Sequence, residues 1–225
     1  MPKDFEVVQR LDRIKDLCAG RRVLHLGCTN HPYTLDSISA GTLLHFELEK
    51  TASEIWGLDA DAEGIELLRS NGSENLVLGD LEHLETAPLD DTFDIIVAGE
   101  MIEHLDNPGL FLSGVKRFMR PDTILLLTTI NAYCAMRFFY YGARGRRGLA
   151  EPVHPDHVAY YSYSTLKLML DRHGLRTDRF LYYDIGNEHR PHTRWFLKAI
   201  NDVCVRLVPQ WADGLIAECR LSAGE

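Results

Sequence analysis

With 225 residues, 45% of them hydrophobic and 25% charged, the chain can bury a substantial core as one large domain or two small ones, and its composition is that of an ordinary soluble globular protein. A net charge of −9 argues against a broad polyanion-binding surface and so against nucleic acid, while leaving room for a local basic patch. Cys18, Cys28, Cys134, Cys204 and Cys219 form no CxxC pair, and there is neither a signal-like start nor a transmembrane stretch, so free thiols in a cytoplasmic protein are expected.

Val7, Val8, Leu11, Ile14 and Leu17 recur at helical spacing and predict an amphipathic helix within residues 1–20, ended near Gly20. Arg22 to Gly27 is an apolar run that stops at glycine, as a first core strand would. A long connection follows, with a helix expected over Leu43 to Ser53. Ile55 to Asp59 is a second strand ending on a carboxylate, followed by a helix around Glu63 to Arg69. Asn75 to Asp80 is a third strand, also ending on aspartate, and Phe93 to Ala98 a fourth. A helix over Pro108 to Met119 leads to a fifth strand, Thr123 to Thr129. The last third gives a helix at Ser164 to His173, a strand near Phe180 to Tyr183, a helix at Thr193 to Leu207 and a strand at Gly214 to Arg220. The two final strands are expected to form an antiparallel pair at the sheet edge. No repeat or linker divides residues 1–225, and the strand–helix rhythm predicts one α/β domain, a mostly parallel sheet wrapped on both faces.

In such a sheet, ligands bind beyond the carboxyl ends of the strands. Gly27, Asp59, Asp80 and Glu100 each end a predicted strand and should gather along that edge. Glycine lets the backbone approach a ligand closely. Asp59 is placed to take both ribose hydroxyls of a nucleoside, and Asp80 to accept from an adenine amino group; singly, such an aspartate is more often a strand-end turn residue, and it is their joint placement that points to a ligand. Glu100, Glu103 and His104 follow the fourth strand, and one helical turn would present all three on one face. With a histidine from His154-Pro155-Asp156-His157 they would form a divalent-cation site. The alternative is that Glu103 and His104 cap the helix start and face solvent.

Over nearly its whole length the chain resembles the class I S-adenosylmethionine-dependent methyltransferases. Val23 to Cys28 is similar to the first motif of that family, Gly57 to Asp59 to the second and Gly79-Asp80 to the third. Phe93 to His104 with Asn107 to Phe111 resembles the fourth, and Arg120 to Asn131 the strand after it. The resemblance implies a Rossmann-like, doubly wound sheet of seven strands in the order 3-2-1-4-5-7-6, the last antiparallel. It implies S-adenosyl-L-methionine as cofactor, held by Gly27, Cys28, Asp59, Ala60, Asp80, Leu81 and Gly99. His25 stands where the family has an acidic residue, and Thr29 and His31 where it has glycines. Either Cys28 to Tyr33 form a different loop, or cofactor binding is weakened.

Within the family, the Glu-x-x-Glu-His signature is similar to two metal-assisted groups, the small-RNA 2′-O-methyltransferases and the ubiquinone-pathway O-methyltransferases. The resemblance implies Glu100, Glu103, His104 and His157 as ligands of Mg, Mn, Fe or Zn, with His154 as substitute. A bound cation would activate a poorly nucleophilic hydroxyl, and a neighbouring second hydroxyl would complete a chelate. His104, His154 or His157 would serve as general base without a metal. Residues 133–157 combine aromatic side chains with Arg137, Arg144, Arg146, Arg147 and three glycines. They read as an acceptor-facing lid or equally as a solvated loop over an aromatic helix, and Tyr160 as acceptor-lining or core. Trp195, Phe196, Leu197 and Ile200 have the spacing of a buried helix face. The expected function is O-methylation of a small-molecule or glycan acceptor, with RNA 2′-O-methylation and a non-catalytic cofactor-fold role as alternatives.

Overall fold

The computed structural model describes residues 5–150, 156–187, 190–191 and 193–222. In chain order these form β1 (Val7–Val8), α1 (Arg10–Cys18), β2 (Arg22–Leu26), α2 (Thr34–Ala40), α3 (Leu44–Glu49), β3 (Glu54–Asp59), α4 (Ala62–Ser70) and β4 (Leu76–Leu78). Then follow β5 (Phe93–Gly99), α5 (Pro108–Gly114), β6 (Met119–Ile130), α6 (Ala135–Gly145), α7 (Tyr163–Arg172), β7 (Leu175–Tyr183), α8 (Trp195–Leu207) and β8 (Gly214–Leu221).

The sheet has eight strands in the order β1-β7-β8-β6-β5-β2-β3-β4. Read from β4, this is the expected 3-2-1-4-5-7-6 order with one strand added at the far edge. The sequence reading of seven strands is therefore corrected to eight. The added strand is the Val7–Val8 pair, which runs parallel to Tyr182 and Tyr183 instead of opening a helix. Two adjacent β-branched residues fit a pleated edge better than a first helical turn, so the helix begins only at Arg10. β8 runs antiparallel to both β6 and β7, as expected of the last strand.

Because both faces of the parallel strands are covered, their sequences are continuously apolar, and alternate residues serve opposite cores. Leu24, Leu26, Ile96, Leu125 and Leu127 pack with Phe111, Phe118, Leu166 and Leu170 on the α5–α7 side. Val23, Ile95, Val97 and Leu126 pack with Ile14, Leu17 and Leu48 on the α1–α3 side. The connection after β2 holds two short helices, α2 and α3, where one was expected over Leu43 to Ser53. Gly41 separates them in the left-handed conformation that glycine adopts without strain.

The strand order puts β2 between β3 and β5, so the chain reverses its direction of winding at the carboxyl end of β2. That crevice is where an open α/β sheet receives a ligand. Gly27 turns out of β2 there with φ +68°, and its N–H donates to the Leu58 carbonyl at 2.9 Å.

Candidate active site

Gly27, Asp59, Asp80 and Gly99 lie at or just past the carboxyl ends of four adjacent strands. A side chain at Gly27 would meet Met101 as well as an unfavourable φ, so the backbone there stays bare. The Asp59 carboxylate is engaged on both oxygens. Oδ2 accepts from the Thr29 N–H and hydroxyl, each at 2.9 Å, and Oδ1 from the Asp61 N–H at 3.0 Å. Thr29 thus replaces a family glycine with a residue that ties the loop to the second strand. Ala60 and Asp80 are exposed, the latter accepting from the Glu82 N–H at 2.8 Å. Leu81 is buried in the α5–α7 core. The Cys28 side chain is fully buried, its sulfur packed against Gly57, and burial pushes its thiol far up; only its backbone borders the crevice.

His25 points to the opposite face, into the α1–α3 layer. Its Nδ1 lies 3.2 Å from Nδ1 of His45 on α3, with the rings stacked at 5.5 Å. Two facing Nδ1 atoms share one proton, one ring donating and the other accepting. Burial pushes the His45 imidazole down to about 4. Burial, then the charges of His45 and Arg10, hold His25 well below its ordinary range. The acidic residue of the family is replaced by a buried, neutral pair in which His45 Nε2 makes no hydrogen bond and lies 3.5 Å from the Glu49 carboxylate.

The Glu-x-x-Glu-His segment does not form one helical turn. Glu100 adopts φ +51°, and a single 3-10 turn follows over Ile102–His104. This kink separates the two glutamates. Glu100 turns to the β1–β7 side, accepting from the Tyr183 hydroxyl at 2.6 Å and pairing with Arg10 at 3.1 Å. The four-ligand expectation is corrected accordingly: Glu103, His104 and His157 come together, with one ligand atom from each within 4.8 Å of the others, and Glu100 is not in that group. His157 reaches them because the Val158 N–H donates to the Glu103 carbonyl at 2.9 Å. The two imidazoles meet edge to face at 4.6 Å. His154 lies outside the described residues.

Glu103 is completely buried, an expensive position for a carboxylate. Oε2 accepts from the Thr129 hydroxyl at 2.8 Å, while Oε1 has no hydrogen-bond partner among the described residues. Burial, then the Glu100 charge, pushes the carboxyl up to about 7. A half-satisfied buried carboxylate beside two half-buried imidazoles is a donor set awaiting a proton, a cation or a hydroxyl. Arg10, Thr129 and Tyr183 were missed in the sequence. Thr129 alone carried a signal there, as the end of the strand beside Glu100.

Residues 135–145 of the expected lid are helical. Arg144 is used within the segment, donating to the Ala150 carbonyl at 2.9 Å and lying over the Tyr140 ring. Arg146 and Arg147 are exposed. Burial, then the neighbouring Tyr160, pushes the Tyr141 hydroxyl up, and the Tyr160 ring centre is 6.2 Å from that of His157, so α6 borders the Glu103 cluster. The expected buried face at Trp195 and Phe196 is also corrected: Trp195 is 78% exposed, and the one fully buried residue of α8 is Asn201.

Residues 6–179 match the model of a methyltransferase domain. The chain is 27% identical over 133 residues to the ubiquinone biosynthesis O-methyltransferase of Actinobacillus pleuropneumoniae, a match covering 54% of this chain and 52% of that one. It therefore spans about half the length of the curated relatives it matches. Among solved structures, a SAM-dependent methyltransferase from Archaeoglobus fulgidus superposes with a TM-score of 0.54 at 21% identity, covering 94% of this chain and 91% of that one. The magnesium protoporphyrin IX methyltransferase of Synechocystis, with bound SAH, superposes with a TM-score of 0.59 at 12% identity over 94% and 82%. With the family model covering most of its length and the sheet order in agreement, this chain belongs to the methyltransferase domain family.

Proposed function

We propose that the chain is an S-adenosylmethionine-dependent O-methyltransferase, acting on a small-molecule or glycan hydroxyl that has a second hydroxyl beside it. The observation that carries this reading is the unpartnered Oε1 of buried Glu103, set against His104 and His157 at the edge of the cofactor crevice. The names of the curated relatives support O-methylation, and the SAH-bound structural neighbour supports the cofactor.

Gly27, Cys28 through its backbone, Asp59, Ala60, Asp80, Leu81 and Gly99 are the proposed cofactor contacts. Thr29 and Asp61 take three of the roughly four acceptor positions of the Asp59 carboxylate, which leaves one on Oδ1 for a ribose hydroxyl. The sulfonium supplies an activated methyl group, so the protein's task is to hold the acceptor oxygen in line with it and to receive the proton it loses. Glu103 near 7 has the right poise for that proton, and His104 or His157 can relay it onward.

The same three residues fit a divalent cation. One carboxylate and two imidazoles are a donor set for Mn, Fe or Zn more than for Mg, and an orphan buried oxygen is what a cation would satisfy. When bound, such an ion would lower the pKa of the acceptor hydroxyl and orient it. Three protein ligands leave coordination positions for two adjacent hydroxyls.

Radiolabelled methyl transfer to catechols, sugar nucleotides, glycans and short RNAs is the test. Labelling of a diol-bearing small molecule or glycan, lost in Glu103→Gln, is expected. Labelling of RNA alone, with steep salt dependence, would replace this reading by the RNA one.

A further inference from the structure

The helices α6 and α8 pack on each other and present an outer face that the core does not use. Phe138 is 74% exposed, Trp195 78% and Leu207 73%. Phe139, Phe196 and Val203 are exposed beside them. Phe196, Val203 and Leu207 recur at helical spacing, so α8 carries an apolar stripe on its solvent side. Its inner side is anchored by a polar residue, Asn201, which donates to Asp184 at 2.7 Å. Side chains exposed to this degree stand above the surface and do not line a groove. Six exposed aromatic and aliphatic side chains on one packed helix pair, with Phe138 against Phe139 and Trp195 against Phe196, mark this pair as a candidate interaction surface.

Charge on the same elements separates the occupants. Residues 132–150 and 193–207 contain seven Arg and Lys and a single acid, Asp202, in a chain of net charge −9; of the seven, Arg137 is turned inward and paired with Asp213. Asp202 is itself paired with Arg190. Arg146, Arg147, Arg194 and Arg206 are exposed around the apolar tips. A second copy docked through this face would place like charges opposite one another across a two-fold axis. An anionic bilayer surface meets both features: the aromatic tips enter the headgroup region and the cations stay at the phosphates. No helix among the described residues is long and apolar enough to cross a membrane, so the pair would lie in the interface plane.

We propose that the outer face of α6 and α8 is a docking surface for anionic lipid. The inner side of α6 borders the Glu103 cluster through Tyr141 and Tyr160, so docking sets the mouth of the site beside the bilayer. An acceptor with an apolar tail would then be reached without leaving the lipid phase. The surface stands on exposure and charge and is independent of which hydroxyl is methylated.

Vesicle co-sedimentation of the full chain tests this, with phosphatidylcholine alone and with phosphatidylcholine mixed with phosphatidylglycerol. Binding to the mixed vesicles, weakening as salt rises, is expected. Trp195→Ser with Phe138→Ser should abolish it, and Arg206→Glu should lower partitioning by roughly fivefold or more. These side chains are exposed, so melting temperatures of the variants should match wild type, and sedimentation velocity should give one monomeric species. Failure to bind mixed vesicles, binding untouched by the substitutions, or a dimer that Trp195→Ser dissociates would each overturn the proposal.

Discussion

Two histidine pairs occupy the two sides of this sheet, and they differ in what they leave unsatisfied. His25 and His45 are buried, stacked and hydrogen-bonded to each other through Nδ1, and burial keeps them neutral. His104 and His157 meet edge to face, half-buried, beside a carboxylate whose second oxygen has no hydrogen-bond partner among the described residues. The first pair closes its two Nδ1 atoms on each other and leaves His45 Nε2 without a hydrogen bond, 3.5 Å from the Glu49 carboxylate. At the second, Glu103 Oε1 stays open beside the two imidazoles. Histidine content alone therefore says nothing of chemistry; what matters is whether the polar atoms around it are already used.

The largest effects should come from breaking the open pair. Glu103→Ala is expected to lower methyl-transfer kcat by about 10²–10⁴-fold while shifting cofactor affinity little, because the role proposed for Glu103 is toward the acceptor and not the sulfonium. Single-turnover kinetics with cofactor calorimetry separates the two effects. His157→Ala should fall in the same range, and a chelator should reproduce its loss in wild type if a cation is held.

Next in size is Asp59→Ala, which removes both the expected ribose contact and the anchor of Thr29. Cofactor affinity should drop by roughly 10–100-fold, as expected when two charge-assisted hydrogen bonds are lost. Undetectable binding to wild type at millimolar cofactor would remove the enzyme reading altogether.

The closed pair should show itself in stability. An unfolded histidine titrates near 6.5, while His45 in the fold is held at about 4. The unfolded chain thus takes up a proton first, so stability is full above pH 6.5 and falls as pH drops toward 4. For His45 that loss is about 3 kcal/mol, and His25 adds to it in the same direction. Denaturant melts at pH 7, 5.5 and 4 check this, and His25→Leu with His45→Leu should flatten the profile. A pH-independent midpoint in wild type would contradict the neutral pair. The smallest effect is expected at the open pair: Glu103→Gln, which removes a buried charge, should raise stability above pH 7 by about 1–3 kcal/mol even as activity is lost.

Much of the sheet was legible because β2, β3, β4 and β5 end on or run into glycine or aspartate and because α4, α5 and α7 follow Asp61, Asn107 and Ser162. The gathering of Gly27, Asp59, Asp80 and Gly99 along one sheet edge followed from those endings. What escaped the sequence was orientation. The Glu100–Glu103–His104 spacing assumed one helical turn, and the φ of +51° at Glu100 turned that glutamate away. No local pattern announces that kink; it depends on Tyr183 and Arg10, which are brought to Glu100 only by the fold. Periodicity likewise grouped Trp195, Phe196, Leu197 and Ile200 as one buried face, whereas Leu197 and Ile200 are half-buried and Trp195 and Phe196 exposed. Val7 and Val8 fit both helical and strand periods over two residues, so only pairing with β7 decided between them.

The central claim is that Glu103, His104 and His157 form the acceptor-side centre. Calorimetric titration of Mn²⁺ into the cofactor-saturated chain, wild type beside His157→Ala and Glu103→Gln, tests it most directly. One site per chain in wild type, weakened more than about tenfold in each variant, is the predicted result. Equal binding in all three proteins, or a wild-type site untouched by either substitution, would contradict it.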